Sequence, residues 1–366
     1  MDPAGTRTVG TIELPPACAA LAGRVDEELD RFLTAHGELM FSLDPDVAPL
    51  FDELRRVIGS GGKRLRPVFC CLGHLAAGAE PVEGAIRAAS ALELLHTFAI
   101  VHDDVMDRSP TRRGSPASWV YLAEAHRRAG LVGRPEAYGL AAAVLAGDMA
   151  LVLADRALLE SDFPEGRLTP ALRRYDRMRV EVVAGQFHDV LSAHRGLADE
   201  AEARRIAALK SGGYTVEAPV QIGAILGGAS EDLLACLGRY GVALGEAFQL
   251  RDDVLGVFGD PEVTGKDRDS DLLEGKRTVL LAKATAAAEG ADRRFLEERI
   301  GRPDLAPAEV ERARSLLEAT GALDATLALI EELVAAARRA LEAGPVPAPA
   351  ATLLAEMAEI VALRRL

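Results

Sequence analysis

Cysteine is scarce in this chain of 366 residues, which contains only four, at positions 18, 70, 71 and 236. None of them forms the CxxC spacing of a zinc site, and their density is far below that of a disulfide-stabilised secreted domain. We therefore exclude both classes of protein and expect a reduced, cytoplasmic one.

Long apolar runs are also lacking. The best candidate, residues 140–153, is interrupted by Asp148, whereas a membrane-spanning helix needs about 18 or more apolar residues in succession. The N-terminal segment shows no basic region followed by an apolar one, as a signal peptide would. The sequence thus predicts neither a membrane span nor export.

Basic residues are in the minority, since 42 Lys and Arg face 56 Asp and Glu, for a net charge of −14. A general nucleic-acid-binding protein needs a net basic surface, so this class is excluded. Only five of the basic residues are lysine. Because a compact ammonium differs chemically from a planar guanidinium, the lysines become candidate functional positions: Lys63, Lys210, Lys266, Lys276 and Lys283.

Strand signals are nearly absent, and aromatic residues make up 4% of the chain. From about residue 22 onward Ala, Leu, Glu and Arg recur with helical spacing, which predicts an all-α protein. We expect one large helical domain over residues 21–366 behind a loose extension over residues 1–20. The expected helix breaks lie at residues 59–62, 109–118, 128–136, 163–166, 259–271 and 344–349, with another at Lys210 and Ser211.

An aspartate motif stands at the end of an apolar predicted helix. Asp103 and Asp107 are four residues apart and so share one helix face, with Asp104 between them. Paired carboxylates repel unless a cation bridges them, and their oxygens suit Mg²⁺, which proteins usually share with substrate phosphates. A solvated helix end is the alternative, but residues 94–101 are nearly all apolar and favour burial. The same stripe carries Glu93 and His96.

A second acidic pair, Asp252 and Asp253, occurs on a later predicted helix. Gln249 precedes Asp252 by three residues and therefore lies on the same face. Position 256, where a third carboxylate would repeat the first motif, is glycine. We expect the second site to have fewer carboxylates than the first.

Basic residues occur where anions would need them. A glycine turn precedes Lys63, Arg64 and Arg66 at an expected helix start, and such a start with flanking cations can bind an anion. The other cations that follow or adjoin the two acidic motifs are Arg112, Arg113, Lys210, Lys266 and Lys276. A solvated face explains any one lysine but not four together. The pattern predicts a cleft for two diphosphate groups, magnesium and a hydrocarbon tail.

The motifs resemble, in order, those of the trans-isoprenyl diphosphate synthases, the polyprenyl synthetase family, from about residue 25 onward, and bacterial geranylgeranyl diphosphate synthases most of all. They are GGKRLRP at 61–67, ELLHTFAIVHDDVMD at 93–107, RRG at 112–114, GQFHD at 185–189, KSGG at 210–213, FQLRDD at 248–253 and GKRT at 275–278. The resemblance implies the isoprenoid synthase fold, a single all-α bundle around a central cavity, and a homodimer.

The resemblance also implies roles for individual residues. The implied ligands of three Mg²⁺ ions, which Mn²⁺ can replace, are Asp103, Asp104, Asp107, Asp252 and Asp253. The allylic diphosphate would be held by Arg112, Lys210 and Lys266, with Gln249, Ser211 and Lys276 lining that side. Isopentenyl diphosphate would be held by Gly62, Lys63, Arg66, His96 and Arg113. Gln186 and Asp189 would orient their neighbours. The implied catalytic set is Asp103, Asp107, Arg112, Lys210, Gln249, Asp252 and Lys266.

The implied reaction is the head-to-tail (1'-4) condensation of isopentenyl diphosphate with an allylic diphosphate, which releases diphosphate. Two residues depart from the family pattern. Gly256 replaces an aspartate, which we expect to weaken metal support without abolishing activity. Ser211 replaces the usual threonine and keeps the hydroxyl.

Product length follows, by the same resemblance, from the residues one turn before Asp103. Ala99 leaves space for the growing tail, while Phe98 blocks further growth and forms the floor. This pattern resembles that of synthases which stop at C20, so we expect geranylgeranyl diphosphate. A floor set by other helices would instead leave farnesyl diphosphate (C15) as the product.

Two other classes of protein compete with this interpretation. A class I terpene cyclase would lack the isopentenyl site and would carry an Asn/Ser/Glu metal motif, whereas here GGKRLRP is present and Asp252-Asp253 holds the second position. A non-catalytic regulatory subunit would have lost a motif, and apart from Gly256 none is lost. The allylic primer, a partner subunit and the downstream pathway stay open.

Overall fold

The structure, a computed structural model, describes residues 13–195, 199–259, 270–302 and 304–362, which form helices apart from one two-stranded hairpin. The first half contains α1 (Pro16–Leu43), a 3-10 turn (Pro45–Val47), α2 (Ala48–Gly59), α3 (Leu65–Ala76), α4 (Glu83–Met106), β1 (Thr111–Arg112), β2 (Ser115–Pro116), α5 (Ser118–Arg128), α6 (Pro135–Leu159) and α7 (Glu165–Arg195). The second half contains α8 (Glu200–Ala207), a π-helix (Ala208–Glu217), α9 (Ala218–Gly227), α10 (Glu231–Phe258), α11 (Ser270–Leu273), α12 (Val279–Ala287), α13 (Gly290–Arg299), α14 (Pro307–Ala319), α15 (Ala322–Glu342) and α16 (Ala348–Ala362). The all-α prediction is confirmed.

Helices end at six of the predicted breaks, but several helices also end where no break was predicted, among them α1, α7, α12, α13 and α14. Helix α1 begins at Pro16, inside the segment expected to be loose, because proline is well suited to the first turn of a helix. Turns after α3 and α9 were not predicted. Their glycines, Gly78 and Gly228, have φ of 83° and 84°, a conformation that stops a helix without any polar sequence signal.

The helix break predicted at Lys210 and Ser211 is wrong. A π-helix runs through these residues and joins α8 to α9. Of its two glycines, Gly212 serves a close approach, since a Cβ atom there would lie 2.9 Å from the carbonyl carbon of Gly245 on α10. Gly212 therefore marks helix-to-helix contact, which the sequence pattern alone could not distinguish from a turn.

The core forms where α3, α4, α9 and α10 meet. Helices α3 and α9 touch through their backbones, because a Cβ on Gly223 would lie 1.8 Å from the carbonyl oxygen of Cys70. Helix α4 is buried along most of its length and packs on α6 and α3. These contacts fix the end of α4, with its aspartates, opposite the π-helix and α10.

Two helices, α4 and α6, are long and apolar enough to cross a membrane by length and composition. Most of α4 is buried inside the bundle, and α6 is buried over nearly half of its most apolar window. Core helices of a bundle pass the same test. The two helices are therefore weak grounds for a membrane span.

Candidate active site

A cleft lies between the C-terminal end of α4, the β1–β2 hairpin, the π-helix and α10. It consists of two adjoining cavities of about 370 and 460 Å³. The side chains that line both of them are Asp103, Arg112, Arg113, Lys210, Ser211, Gln249 and Asp252. The structure therefore brings both acidic motifs and most of the predicted cations to one site.

Asp103 lies at the junction of the two cavities, and Asp107 lines the smaller one. Burial alone would raise the pKa of Asp103, but Lys210 and Arg112 outweigh it and hold that pKa below its usual range. Burial and then the neighbouring Asp103 carboxylate raise the pKa of Asp107 to about 6. The Asp103 carboxylate is thus stabilised by neighbouring cations, whereas burial and the charge of Asp103 disfavour a bare carboxylate at Asp107.

Asp104 differs from the other predicted metal ligands. It is 2% exposed, and it accepts two hydrogen bonds from the guanidinium of Arg112, one of them at 2.9 Å. Asp104 is not among the described residues that line the two main cavities. It lines a small neighbouring pocket instead. Its contact is with Arg112, which it orients toward the cleft.

The second acidic pair comes from α10 on the opposite wall. Gln249 donates to Asp253 at 2.7 Å, and both line the smaller cavity beside Asp252. Burial raises the pKa of Asp253 to about 7, against the opposing effect of the Gln249 hydrogen bond. Asp252 therefore lies in the cavity wall beside a buried carboxyl group that accepts a hydrogen bond from Gln249.

The π-helix supplies Lys210 and Ser211 to the centre of the cleft. The Lys210 ammonium lies 2.6 Å from the Asp189 carboxylate and 3.3 Å from that of Asp103. Gln186, on α7 with Asp189, donates to Asp103 at 3.0 Å. Gln186 thus contacts Asp103, and Asp189 contacts Lys210; the orienting role that the resemblance implies for both stays a prediction.

The larger cavity has a cationic wall. It includes all five residues that the resemblance assigned to isopentenyl diphosphate, Gly62, Lys63, Arg66, His96 and Arg113. Arg64 also lines this cavity, but it is 6% exposed and its guanidinium binds Asp26 and Glu93 at 2.7 and 2.5 Å. Arg64 therefore ties α1 to α4. Positive charge in this cavity comes from Lys63, Arg66 and Arg113, in addition to Arg112 and Lys210, which line both cavities.

Tyr214 is a site residue that the sequence reasoning missed. Its hydroxyl lies 3.0 Å from His96 Nδ1, and the guanidinium carbon of Arg66 lies 4.1 Å from the centre of its ring. Arg66 also donates to Thr215 at 2.9 Å. Burial, followed by the positive charge of Arg66, lowers the pKa of His96 well below its usual range. Tyr214 follows Lys210 by four residues, and the helix break predicted at Lys210 and Ser211 hid this helical spacing.

Three lysines remain to be placed. Lys276 lines the smaller cavity, where its ammonium binds Asp271 and Glu274 at 2.8 and 3.0 Å. Lys283 binds Glu200 at 2.8 Å and belongs to neither main cavity as described. Lys266, predicted for the allylic diphosphate, lies outside the described residues.

The two residues predicted to form the floor occupy different positions. Ala99 lines the larger cavity, together with the apolar side chains of Ile100, Val182 and Phe248. Phe98 is partly buried, and the centre of its ring lies 4.6 Å from that of His102. Phe98 is not among the described lining residues of this cavity, so the structure places Ala99, and not Phe98, directly against the tail space.

The acidic side chains fit magnesium that is bound together with a diphosphate. Asp103 and Asp107 face Asp252 across the smaller cavity, and carboxylate oxygens are the ligands that Mg²⁺ prefers. Among the described residues, no three Asp, Glu, His or Cys side chains converge into a metal-binding group. Mg²⁺ commonly completes its shell with water and substrate phosphates, which is the arrangement that an open, two-sided site requires.

Comparison with known proteins agrees with this geometry. The polyprenyl synthetase family model matches residues 48–317. A geranylfarnesyl diphosphate synthase of Aeropyrum pernix is 35% identical over 272 residues, 73% of this chain and 79% of that protein. A (2E,6E)-farnesyl diphosphate synthase of Mycobacterium bovis is 34% identical over 290 residues, 76% of this chain and 75% of that protein.

A crystal structure gives the same result for the fold. The geranylgeranyl pyrophosphate synthase of Corynebacterium glutamicum, complexed with isoprenyl diphosphate and magnesium, matches with a TM-score of 0.90 and 33% identity. The match covers 94% of this chain and 99% of that one. Fold and site together define an all-α prenyltransferase with the isoprenoid synthase fold.

The chain belongs to the polyprenyl synthetase family. Its relatives include synthases named for farnesyl, geranylgeranyl and geranylfarnesyl products. Family membership therefore establishes the class of enzyme and leaves the length of its product to be argued from the cavity.

Proposed function

We propose that this protein catalyses the Mg²⁺-dependent 1'-4 condensation of isopentenyl diphosphate with allylic diphosphates, and that its product is geranylgeranyl diphosphate. The observation that carries the proposal is one cleft whose smaller cavity is lined by acidic residues of both α4 and α10 and whose adjoining larger cavity is lined by Lys63, Arg66 and Arg113. One diphosphate fits each side, and the reacting carbons would meet between them. We infer three Mg²⁺ ions per site from the family pattern, with Mn²⁺ as a substitute.

The cations of the smaller cavity would act on the leaving group. As the allylic carbon–oxygen bond breaks, the electron pair leaves with the diphosphate, whose growing charge is stabilised by Arg112, Lys210 and Lys276. Bound Mg²⁺ supplies Lewis-acid stabilisation of the same charge. Ser211 offers a hydroxyl on this side of the cleft.

The larger cavity would hold isopentenyl diphosphate and the hydrocarbon tail. Lys63, Arg66 and Arg113 fix the diphosphate, so that the double bond is aimed at the allylic cation. Its π electrons form the new carbon–carbon bond, and the proton lost afterwards goes to the released diphosphate. Ile100, Val182 and Phe248 give the wall an apolar stretch, which limits the access of water to the cation.

The C20 product is favoured over C15 by the space beside α4. Ala99 is small and faces the cavity, so the tail can pass the first turn before Asp103. Phe98, the preceding residue of the helix, packs against His102 and is not among the described lining residues of this cavity, so the support for C20 comes from Ala99. Farnesyl diphosphate is the alternative product if another helix closes the cavity earlier.

The experiment that tests the function is product analysis with the purified protein. Labelled isopentenyl diphosphate and Mg²⁺ would be incubated with each of the C5, C10 and C15 allylic diphosphates, and the dephosphorylated products separated by chromatography. We expect a C20 alcohol. A C15 alcohol would keep the chemistry and overturn the chain length, whereas no product from any primer would favour a non-catalytic regulatory subunit.

Tyr214 provides a test of the isopentenyl side. We expect Tyr214→Phe to raise KM for isopentenyl diphosphate by about 2- to 10-fold, because a typical buried hydrogen bond contributes about 0.5–1.5 kcal/mol and this one orients His96. Steady-state kinetics with each substrate varied in turn would measure the effect. Tyr240→Phe is the matched control, since its buried hydroxyl donates to Leu354 at 2.8 Å, outside the cleft. An unchanged KM in Tyr214→Phe would contradict this placement.

We also propose a homodimer that is formed through α6 and α7. Exposed apolar residues follow α7 at spacings of three and four, Val180, Val183, Phe187 and Val190, which is the spacing of helix-packing positions. Leu145 and Val152 extend the apolar surface on α6, which Arg179 joins to α7 through a 2.7 Å ion pair with Asp155.

Light scattering coupled to size exclusion would test the dimer. We expect a dimer for the wild type and a monomer for Val180→Glu, because a charge buried in an apolar interface is strongly unfavourable. Val242→Glu is the control, since Val242 is an exposed valine on α10. A monomeric wild-type protein would overturn the proposal.

A further inference from the structure

The place of the missing third carboxylate of α10 is filled by a different residue. A Cβ atom built on Gly256 would lie 1.8 Å from Oδ2 of Asp271 and 2.7 Å from its Cγ. Gly256 stands four residues, one helical turn, after Asp252. The carboxylate of Asp271, carried on α11, therefore occupies the volume into which a side chain at position 256 would extend.

Asp271 belongs to the same cavity wall as the two acidic motifs. It is 5% exposed, and it lines the smaller cavity with Asp103, Asp107 and Asp252. Its Oδ1 binds the Lys276 ammonium at 2.8 Å, and its carbonyl oxygen accepts from the Lys276 backbone N–H at 3.0 Å. One of its carboxylate oxygens thus faces α10, while the other holds a cation of the site.

We propose that Asp271 supplies from α11 the third carboxylate that Gly256 withholds from α10, and that it positions Lys276 for the allylic diphosphate and its Mg²⁺. The proposal rests on the proposed function of the cleft. We class Asp271 as a positioning residue, because its described polar contacts are with Lys276 and its Oδ2 occupies the space beside Gly256 of α10. Gly256 is then the residue that makes room for Asp271, and its presence does not leave the second acidic site incomplete.

A structural tie between α10 and α11 is the competing explanation. If Asp271 only tied the two helices together, the shape of its side chain at position 271 would matter. A carboxylate supplied from α10 could not then replace it. Two substitutions, made singly and together, distinguish the two explanations. The Cβ of Asp271 lies 3.5 Å from the position of a Cβ on Gly256, an ordinary contact, so Asp271→Ala leaves room for an aspartate on α10.

The test uses calorimetric titration of inorganic pyrophosphate and Mg²⁺ into the full-length protein, alongside thermal unfolding. We expect Asp271→Asn and Asp271→Ala to weaken Mg²⁺-dependent pyrophosphate binding by about 10- to 100-fold, the usual cost of losing a residue that supports a metal site. Gly256→Asp alone should also weaken binding, because it displaces Asp271. The double variant with Gly256→Asp and Asp271→Ala should recover most of the affinity, since the carboxylate then comes from α10.

A matched control separates charge loss in general from charge loss in the cleft. Glu200→Gln breaks another carboxylate–lysine pair, with Lys283 at 2.8 Å, and it should leave pyrophosphate affinity unchanged. The proposal is overturned if Asp271→Asn binds like the wild type, or if the folded double variant binds no better than Asp271→Ala. A wild-type protein that binds no pyrophosphate with Mg²⁺ would overturn the proposed function itself, and with it the assignment of Asp271.

Discussion

Replacing Asp103 by asparagine is expected to lower kcat by about 10²–10³-fold or more, comparable to the loss of a single group that stabilises charge in a transition state. Asp103 lies where the two cavities meet, 3.3 Å from the Lys210 ammonium and 3.7 Å from the Arg112 guanidinium. Asparagine keeps the shape but removes the negative charge that a shared Mg²⁺ would need. Steady-state rates at saturating substrates and several Mg²⁺ concentrations would measure the loss.

Excess Mg²⁺ should recover only part of the lost rate in Asp103→Asn. A higher Mg²⁺ concentration can refill the metal site, but it cannot restore the negative charge that the substitution removes. Asp52→Asn is the control, since Asp52 is an exposed carboxylate on α2 and its loss should leave kcat within experimental error. If Asp103→Asn kept more than about a tenth of the wild-type kcat, well above the range expected for such a group, the role given to the first acidic motif would be wrong.

The sequence predicted the architecture and most of the site because periodicity and spacing are local properties. The four-residue spacing of Asp103 and Asp107 places both on one helix face, and both line the cleft. Lys63, Arg66, His96 and Arg113 were assigned to one subsite by the resemblance of their motifs to the family, and all four line the larger cavity. Local spacing alone would not have connected them, because they come from three separate segments of the chain.

The parts that were missed depend on contacts between distant helices. Asp104 looks like a metal ligand in the sequence, but its direction depends on the hairpin that carries Arg112. The tight approach of Gly212 to Gly245 made a π-helical segment look like a break. Tyr214 was missed because a helix break was predicted just before it, at Lys210 and Ser211, and because its partners His96 and Arg66 come from other helices.

The same limitation explains the interpretation of Gly256. In the sequence this glycine is only a lost aspartate, since no rule of spacing connects position 256 to position 271. The structure brings the two residues into contact, and the lack of space beside Asp271 explains why position 256 is a glycine. A substitution that looks like a loss within one motif can therefore be compensated from an element that adjoins it only in the folded chain.

The second large effect concerns product length, and we expect Ala99→Phe to shift the main product from C20 to C15 or shorter. Ala99 faces the larger cavity beside Ile100 and Val182, so a phenyl ring there would occupy space that the tail needs. Close-packed surroundings leave such a ring few other places to go. Chromatography of the dephosphorylated products, with the C5 and C10 primers, would measure the shift.

The reciprocal variant, Phe98→Ala, tests whether the neighbouring position closes the cavity. The Phe98 ring is partly buried against His102, and its removal should open space one position farther along α4, so that products of C25 and longer accumulate. Thr97→Ala on the same helix is the control, because its hydroxyl donates to the Glu93 carbonyl oxygen at 3.0 Å within the core. If Ala99→Phe shortened the product while Phe98→Ala left it at C20, the cavity would end at a residue of another helix, and Ala99 alone would mark the path of the tail.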